Sequence, residues 1–175
     1  MITFYQVIMR PQWGLLESGR AELVWRDARS RFAAQVIGPH FERLCRAYAL
    51  TAPPERFGAL PGEVGAGVVT DPQRRRRIEV DVAVFAPAVP GERRRLLSLG
   101  EVKWGEVKWG EVKWARHVDR LRRARDLLAG RGYDTRDTVL TCYSGVGFEP
   151  GLIDDGEPVR TVGLADLYPS PSATQ

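Results

Sequence analysis

The run IEVDVAVFAP, residues 78–87, admits few folds. β-branched residues alternate with polar or small ones, the period-two pattern of a strand with two unlike faces. On an unbroken strand Ile78, Val80, Val82 and Val84 share one face, and Glu79, Asp81, Ala83 and Phe85 share the other. Asp81 sits in the middle of this apolar stretch. A buried carboxylate without a partner is costly, so Asp81 calls for a cation or for hydrogen-bond donors.

A Pro- and Gly-containing turn, APAVPGE, leads to a second strand-like run, LLSLGEVKW. Its period places Leu97, Leu99, Glu101 and Lys103 on one face. The run opens a threefold exact repeat, GEVKWGEVKWGEVKW, from Gly100 to Trp114. Five is an odd number. In one continuous strand, successive glutamate–lysine pairs would therefore face opposite ways. The first copy directly follows the apolar LLSL, so Glu101 and Lys103 are expected in the strand, with the added material lengthening the connection to the next helix.

Elsewhere the pattern alternates between helix and strand. Residues 1–28 read as an irregular lead-in, a remnant of an upstream linker, and 29–175 as the domain proper. From Asp27 on, Phe32, Val36, Ile37, Phe41, Leu44, Cys45 and Tyr48 recur at helical spacing, interrupted at Gly38-Pro39. EVGAGVVT is a strand, closed by the turn at Asp71-Pro72. ARHVDRLRRARDLLAG is an amphipathic helix with Val118, Leu121, Ala124 and Leu128 inward. TVLTCYSG and VRTVGL are further strands. The expected fold is α/β: a central mixed β-sheet flanked by helices, in the order αβββαβ.

The chain has 175 residues, enough for one domain with a real core. Its apolar stretches are too short to span a membrane, and no leader is recognised at its start. Cys45 and Cys142 are expected as reduced core thiols, which places the protein in the cytoplasm. The net charge is +4, carried mostly by arginine: Arg74, Arg75, Arg76 and Arg77, then Arg93 to Arg95, then Arg116, Arg120, Arg122, Arg123 and Arg125 on one helix. Arginine suits bidentate phosphate contacts. Arg74 to Arg77, Arg116, Arg120 and Arg123 are the candidate nucleic-acid contacts; a merely solvated surface is the alternative.

If the two acidic strands are neighbours, Asp81, Glu101 and Lys103 converge. Two carboxylates and strand carbonyls suit a hard divalent ion such as Mg²⁺ or Mn²⁺. A lysine beside them can orient a water and stabilise phosphorane charge. A plain salt bridge at a sheet edge is the competing reading. His117 opens the second helix and is expected as a surface histidine rather than a phosphate contact. Glu79 is either a helper or a solvated strand residue. Trp104, Trp109 and Trp114 are expected as partly buried cover rather than as base-stacking platforms.

Asp81 followed by Glu101-Val102-Lys103 resembles the PD-(D/E)XK nuclease superfamily, the restriction-endonuclease-like fold. Over nearly the whole chain, the segments around ARSRFAAQVIGPHFERLCRAYA, IEVDVAVFAP, LLSLGEVKWGEV, HVDRLRRARDLL, GYDT, YSGVGFEPGL and VGLADLY resemble the C-terminal domain of archaeal-type, AAA+-related ATPases. The resemblance implies a Mg²⁺- or Mn²⁺-dependent nuclease acting on nucleic acid, DNA first. Asp81, Glu101 and Glu42 would be metal ligands, and Lys103 would join them in catalysis. It also implies an ATPase or a second copy as partner. The ATPase module itself is missing: no G-x-x-x-x-G-K-S/T motif occurs, so the chain has no ATP site of that kind. A catalytically idle binding or regulatory module is the alternative function.

Overall fold

A computed structural model of the chain describes residues 2–105, 112–148 and 158–168, with only the backbone at 112 and 113. Residues 2–17 form short helical turns. They lead to α1 (Ala21–Phe32), a wider π turn at Ala33–Ile37, and α2 (Gly38–Thr51). The lead-in expected to be irregular is thus helical, and α1 runs across residue 28. The backbone stays helical through Gly38-Pro39: Ile37 and Gly38 keep helical angles and the Gly38 N–H bonds the Ala33 carbonyl, so the expected interruption is a widening to π geometry just before Pro39.

Five strands follow: β1 (Glu63–Asp71), β2 (Arg76–Phe85), β3 (Leu96–Lys103), β4 (Val139–Ser144) and β5 (Val159–Val162). They make one sheet in the order β1-β2-β3-β4-β5. The first three are antiparallel neighbours, while β4 and β5 run parallel to β3. α3 (Val112–Gly130) makes the crossover from β3 to β4. The protein is therefore mixed α/β, with a five-stranded mixed sheet flanked by helices.

Each face of the sheet is covered by one long helix. Phe41, Cys45 and Ala49 of α2 pack with Val82, Val84, Leu97, Val102 and Tyr143. Trp114, Val118, Leu121 and Ala124 of α3 pack with Val69, Ile78, Val80, Leu99 and Leu140. Both cysteines are free and buried, and burial pushes each thiol up to about 12. Among the described residues no helix is long and apolar enough to cross a membrane.

These clusters correct the simple alternation expected of β2. Ile78 and Val80 lie under α3, whereas Val82 and Val84 lie under α2. The register against β1 explains the switch. Gly65 pairs with Ala83 but Gly67 with Val80, so β2 carries one extra residue at Asp81–Val82. An extra residue in one strand is a β-bulge, and a bulge re-aims the side chains around it. A second slip, between Val84 and Phe85 against β3, turns Leu97 toward α2 while Leu99 stays under α3. Leu97 therefore does not share a face with Leu99.

Candidate functional site

The site is built where β2 and β3 lie side by side. Val82 pairs with Gly100, which sets Asp81 beside Glu101 and Val102. Asp81 Oδ2 accepts a hydrogen bond from the Val102 N–H at 2.8 Å. The β2–β3 ladder ends at the Val82–Gly100 pair, which leaves this donor to a side chain. Burial pushes the Asp81 carboxyl up to about 6; the Val102 N–H and Lys103 oppose the rise, while the charges of Glu101 and Glu42 add to it.

Glu101 is 3% exposed, and three basic side chains surround it. Lys103 Nζ lies 2.6 Å from Oε1, His117 Nδ1 3.0 Å from it, and an Arg120 guanidinium nitrogen 3.8 Å from it. Burial alone would raise this carboxyl, but His117 and Lys103 outweigh burial and hold it at about 2. Glu101 is thus an ionised carboxylate in a nearly dry position, which is tolerable only because cations are gathered around it.

Glu42 sits on α2, one turn before Arg46. The Arg46 guanidinium lies 3.6 Å from Glu42 and donates to the Asp81 backbone carbonyl at 2.9 Å. Glu42 therefore reaches the site through Arg46. Among the described residues no three His, Cys, Asp or Glu side chains are grouped to hold a metal ion. The donor set fits a hard divalent ion through two carboxylates, Asp81 and Glu101, and Glu42 is held by Arg46 rather than set beside them. Asp81, raised in part by its acidic neighbours, is the group such a cation would relieve.

The first copy of the repeat supplies the strand residues Glu101 and Lys103. The third enters α3, which begins at Val112 rather than at Ala115, and its Trp114 is 3% exposed in the core. Trp104 is the more exposed of the two, its ring edge-on to Phe41 at 5.3 Å. Trp109, and the lysine and glutamate of the second copy, lie outside the described residues, as does the side chain of Lys113.

His117, expected at the surface, is turned inward instead. Its side chain is 19% exposed and meets Glu101. The signal was available: His117 lies three residues after Trp114 and four before Leu121, on the inward stripe of α3. The arginines divide into two groups. Arg74 to Arg77 are exposed at the β1–β2 hairpin tip, about 13 Å or more beyond Asp81 along β2 at ~3.3 Å per residue. Arg116 is exposed as well. Arg123 is instead committed to Asp71, at 2.8 and 3.2 Å, and to Gln73. This pairing holds the Asp71 carboxyl down at about 2. Arg123 is consequently a strut between α3 and the hairpin rather than a free phosphate contact. Glu79 is exposed, the solvated alternative of the two expected for it.

Comparison of the chain with protein-family models, with curated proteins and with solved structures finds no match.

Proposed function

We propose that the chain is a PD-(D/E)XK-type nuclease that hydrolyses phosphodiesters in nucleic acid, DNA first, with Mg²⁺ or Mn²⁺. The observation that carries this reading is the meeting of Asp81 with the Glu101–Lys103 pair on adjacent strands. Asp81 and Glu101 would hold the ion, and Glu42, tied to Arg46, would act on the site through its charge. A divalent ion there supplies Lewis-acid stabilisation of the charge that builds on the phosphodiester. Lys103 would orient the attacking water: the water oxygen forms the new P–O bond and gives up a proton to solvent, the old P–O bond breaks, and the leaving oxygen takes up a proton from solvent. The exposed arginines Arg74 to Arg77 and Arg116 would track the strand's phosphates.

The test is cleavage of duplex and single-stranded DNA and RNA by the full chain, with and without Mn²⁺. Cleavage should require the metal and be abolished by Asp81→Asn. Mn²⁺ should also raise the melting temperature of the wild type, and not of that variant, because only the folded sheet brings the ligands together. An equal shift in the variant means the ion binds elsewhere.

One observation favours a second reading. Glu101 is already surrounded by Lys103, His117 and Arg120, an arrangement that satisfies the carboxylate without a metal. A nucleic-acid-binding or regulatory module, idle in catalysis, would keep such a site. Its signature is salt-dependent DNA binding with no cleavage in Mg²⁺ or Mn²⁺.

A further inference from the structure

The closest approaches of Lys103, His117 and Arg120 to Glu101 are all to the same oxygen, Oε1. Lys103 comes from Glu101's own strand, whereas His117 and Arg120 come from α3, one helical turn apart. His117 Nδ1 is buried and makes no well-aligned hydrogen bond, and Glu101 is the acid it faces. The edge-on ring of Trp114, 5.8 Å away between centroids, backs the imidazole, and Trp114 itself is locked in the core beneath α3. A half-buried histidine backed by a core tryptophan has little freedom to move, so where it stands determines where the Glu101 carboxylate can stand.

We propose that His117 is a positioning residue: its Nδ1, 3.0 Å from Oε1 of Glu101, fixes the carboxylate that, together with Asp81, would hold a divalent cation. The inference rests on the metal-site reading above and adds a residue to it. A ligand carboxylate works when a neighbour fixes its rotamer, and losing such a neighbour commonly costs about 10–100-fold in metal affinity. Arg120, at 3.8 Å, contributes charge but not direction. Lys103, at 2.6 Å, is closer, but it stands on a flexible and more exposed stem, so the half-buried His117 is the more fixed of the two neighbours.

The experiment is Mn²⁺ titration of the full chain without nucleic acid, followed by electron paramagnetic resonance of the free ion. His117→Leu should weaken Mn²⁺ binding about 10-fold or more. His117→Asn, which keeps a donor near the Nδ1 position, should recover most of that loss. A purely structural role predicts no such rescue. Equal affinity in wild type and His117→Leu overturns the inference, and so does an Asn variant as weak as the Leu variant. A crystal structure of metal-free His117→Leu supplies an independent arm: the Glu101 carboxylate should leave its wild-type rotamer, and an unmoved carboxylate overturns the inference whatever the metal does. If Mn²⁺ binding survives Asp81→Asn while the Glu101 rotamer still depends on His117, the nuclease reading fails and the positioning of Glu101 stands.

Discussion

The first and third copies of GEVKW have the same residues and different structures. In the first, Glu101, Val102 and Lys103 are strand residues, laddered to Cys142, Tyr143 and Ser144 of β4. In the third, the chain is already helical by Val112. Trp104 ends one copy against Phe41 and above Gly145, where an added Cβ would collide with its ring. Trp114 ends the other inside the α3 core. The pentapeptide has no strong preference, so its neighbours decide. LLSL feeds the first copy into the middle of the sheet. The third precedes an apolar stripe in which Trp114, Val118, Leu121 and Ala124 continue at helical spacing. Intrinsic propensity is a weak prior that packing overrides. The two copies also cooperate: the tryptophan of the third backs His117, which meets the glutamate of the first.

The sharpest way to break this comparison is at the tryptophans. Trp114→Ala should cost about 3–5 kcal/mol of unfolding free energy, the range for emptying a buried aromatic position. Trp104→Ala, at a site 38% exposed, should cost about 1–2 kcal/mol. Urea denaturation of both variants measures the contrast, and equal losses would mean that the two copies are equally buried.

At the lysines the contrast is functional. Lys103→Ala should lower the cleavage rate on the order of 10²-fold or more, the scale for losing a proton-transfer or charge-stabilising group. Lys113→Ala should cost little. The opposite result would register the strand on the third copy.

The carboxylates should give a pH signature with two opposed limbs, each on the order of 1–3 kcal/mol. Glu101 is held at about 2 in the folded chain, below its ordinary 4.5. Its contribution is present above pH 4.5 and is lost as pH falls toward 2. Asp81 is raised from 3.8 to about 6. The folded state therefore binds its proton more tightly, and stability is lost as pH rises from about 4 through 6. Without metal, stability should peak near pH 4–5. Asp81→Asn should remove the fall above pH 4, Glu101→Gln should flatten the acid limb, and Glu111→Gln should change neither. Chemical denaturation across pH 2–8 reads all three.

The smallest effect is expected from shortening the repeat. Deleting any one copy yields the same sequence, with one GEVKW left to end β3 and one to begin α3. Loop entropy changes slowly with length, so the loss should stay below about 1 kcal/mol, with cleavage retained. A large loss would mean that the middle copy has packing of its own.

The elements were legible because their signals are local. Alternation marked β2, three- and four-residue spacing marked α2 and α3, and Pro and Gly marked the turns. The adjacency of Asp81 to Glu101 and Lys103 followed from two strands joined by a short turn. What the sequence read wrongly was non-local. The helical lead-in is the exception, since Val24, Ala28 and Phe32 recur every fourth residue along α1, a local helical signal. The switch of face along β2 comes from a one-residue slip against β1, and no property of IEVDVAVF alone announces it, because register is a relation between two strands. The pairing of Arg123 with Asp71 joins positions 52 apart, and it turned an expected phosphate contact into a brace.

By itself, then, the sequence determined which segments are strands and helices, and that two carboxylates and a lysine would sit on neighbouring strands. The first copy is also expected in the sheet, because it follows LLSL; only the tertiary structure decided which way Asp81 is aimed, and that His117 meets Glu101. The physical reason is range: periodicity acts over a few residues along the chain, whereas a bulge, a buried charge and its partners are settled by segments that meet only when the sheet closes between its two helices.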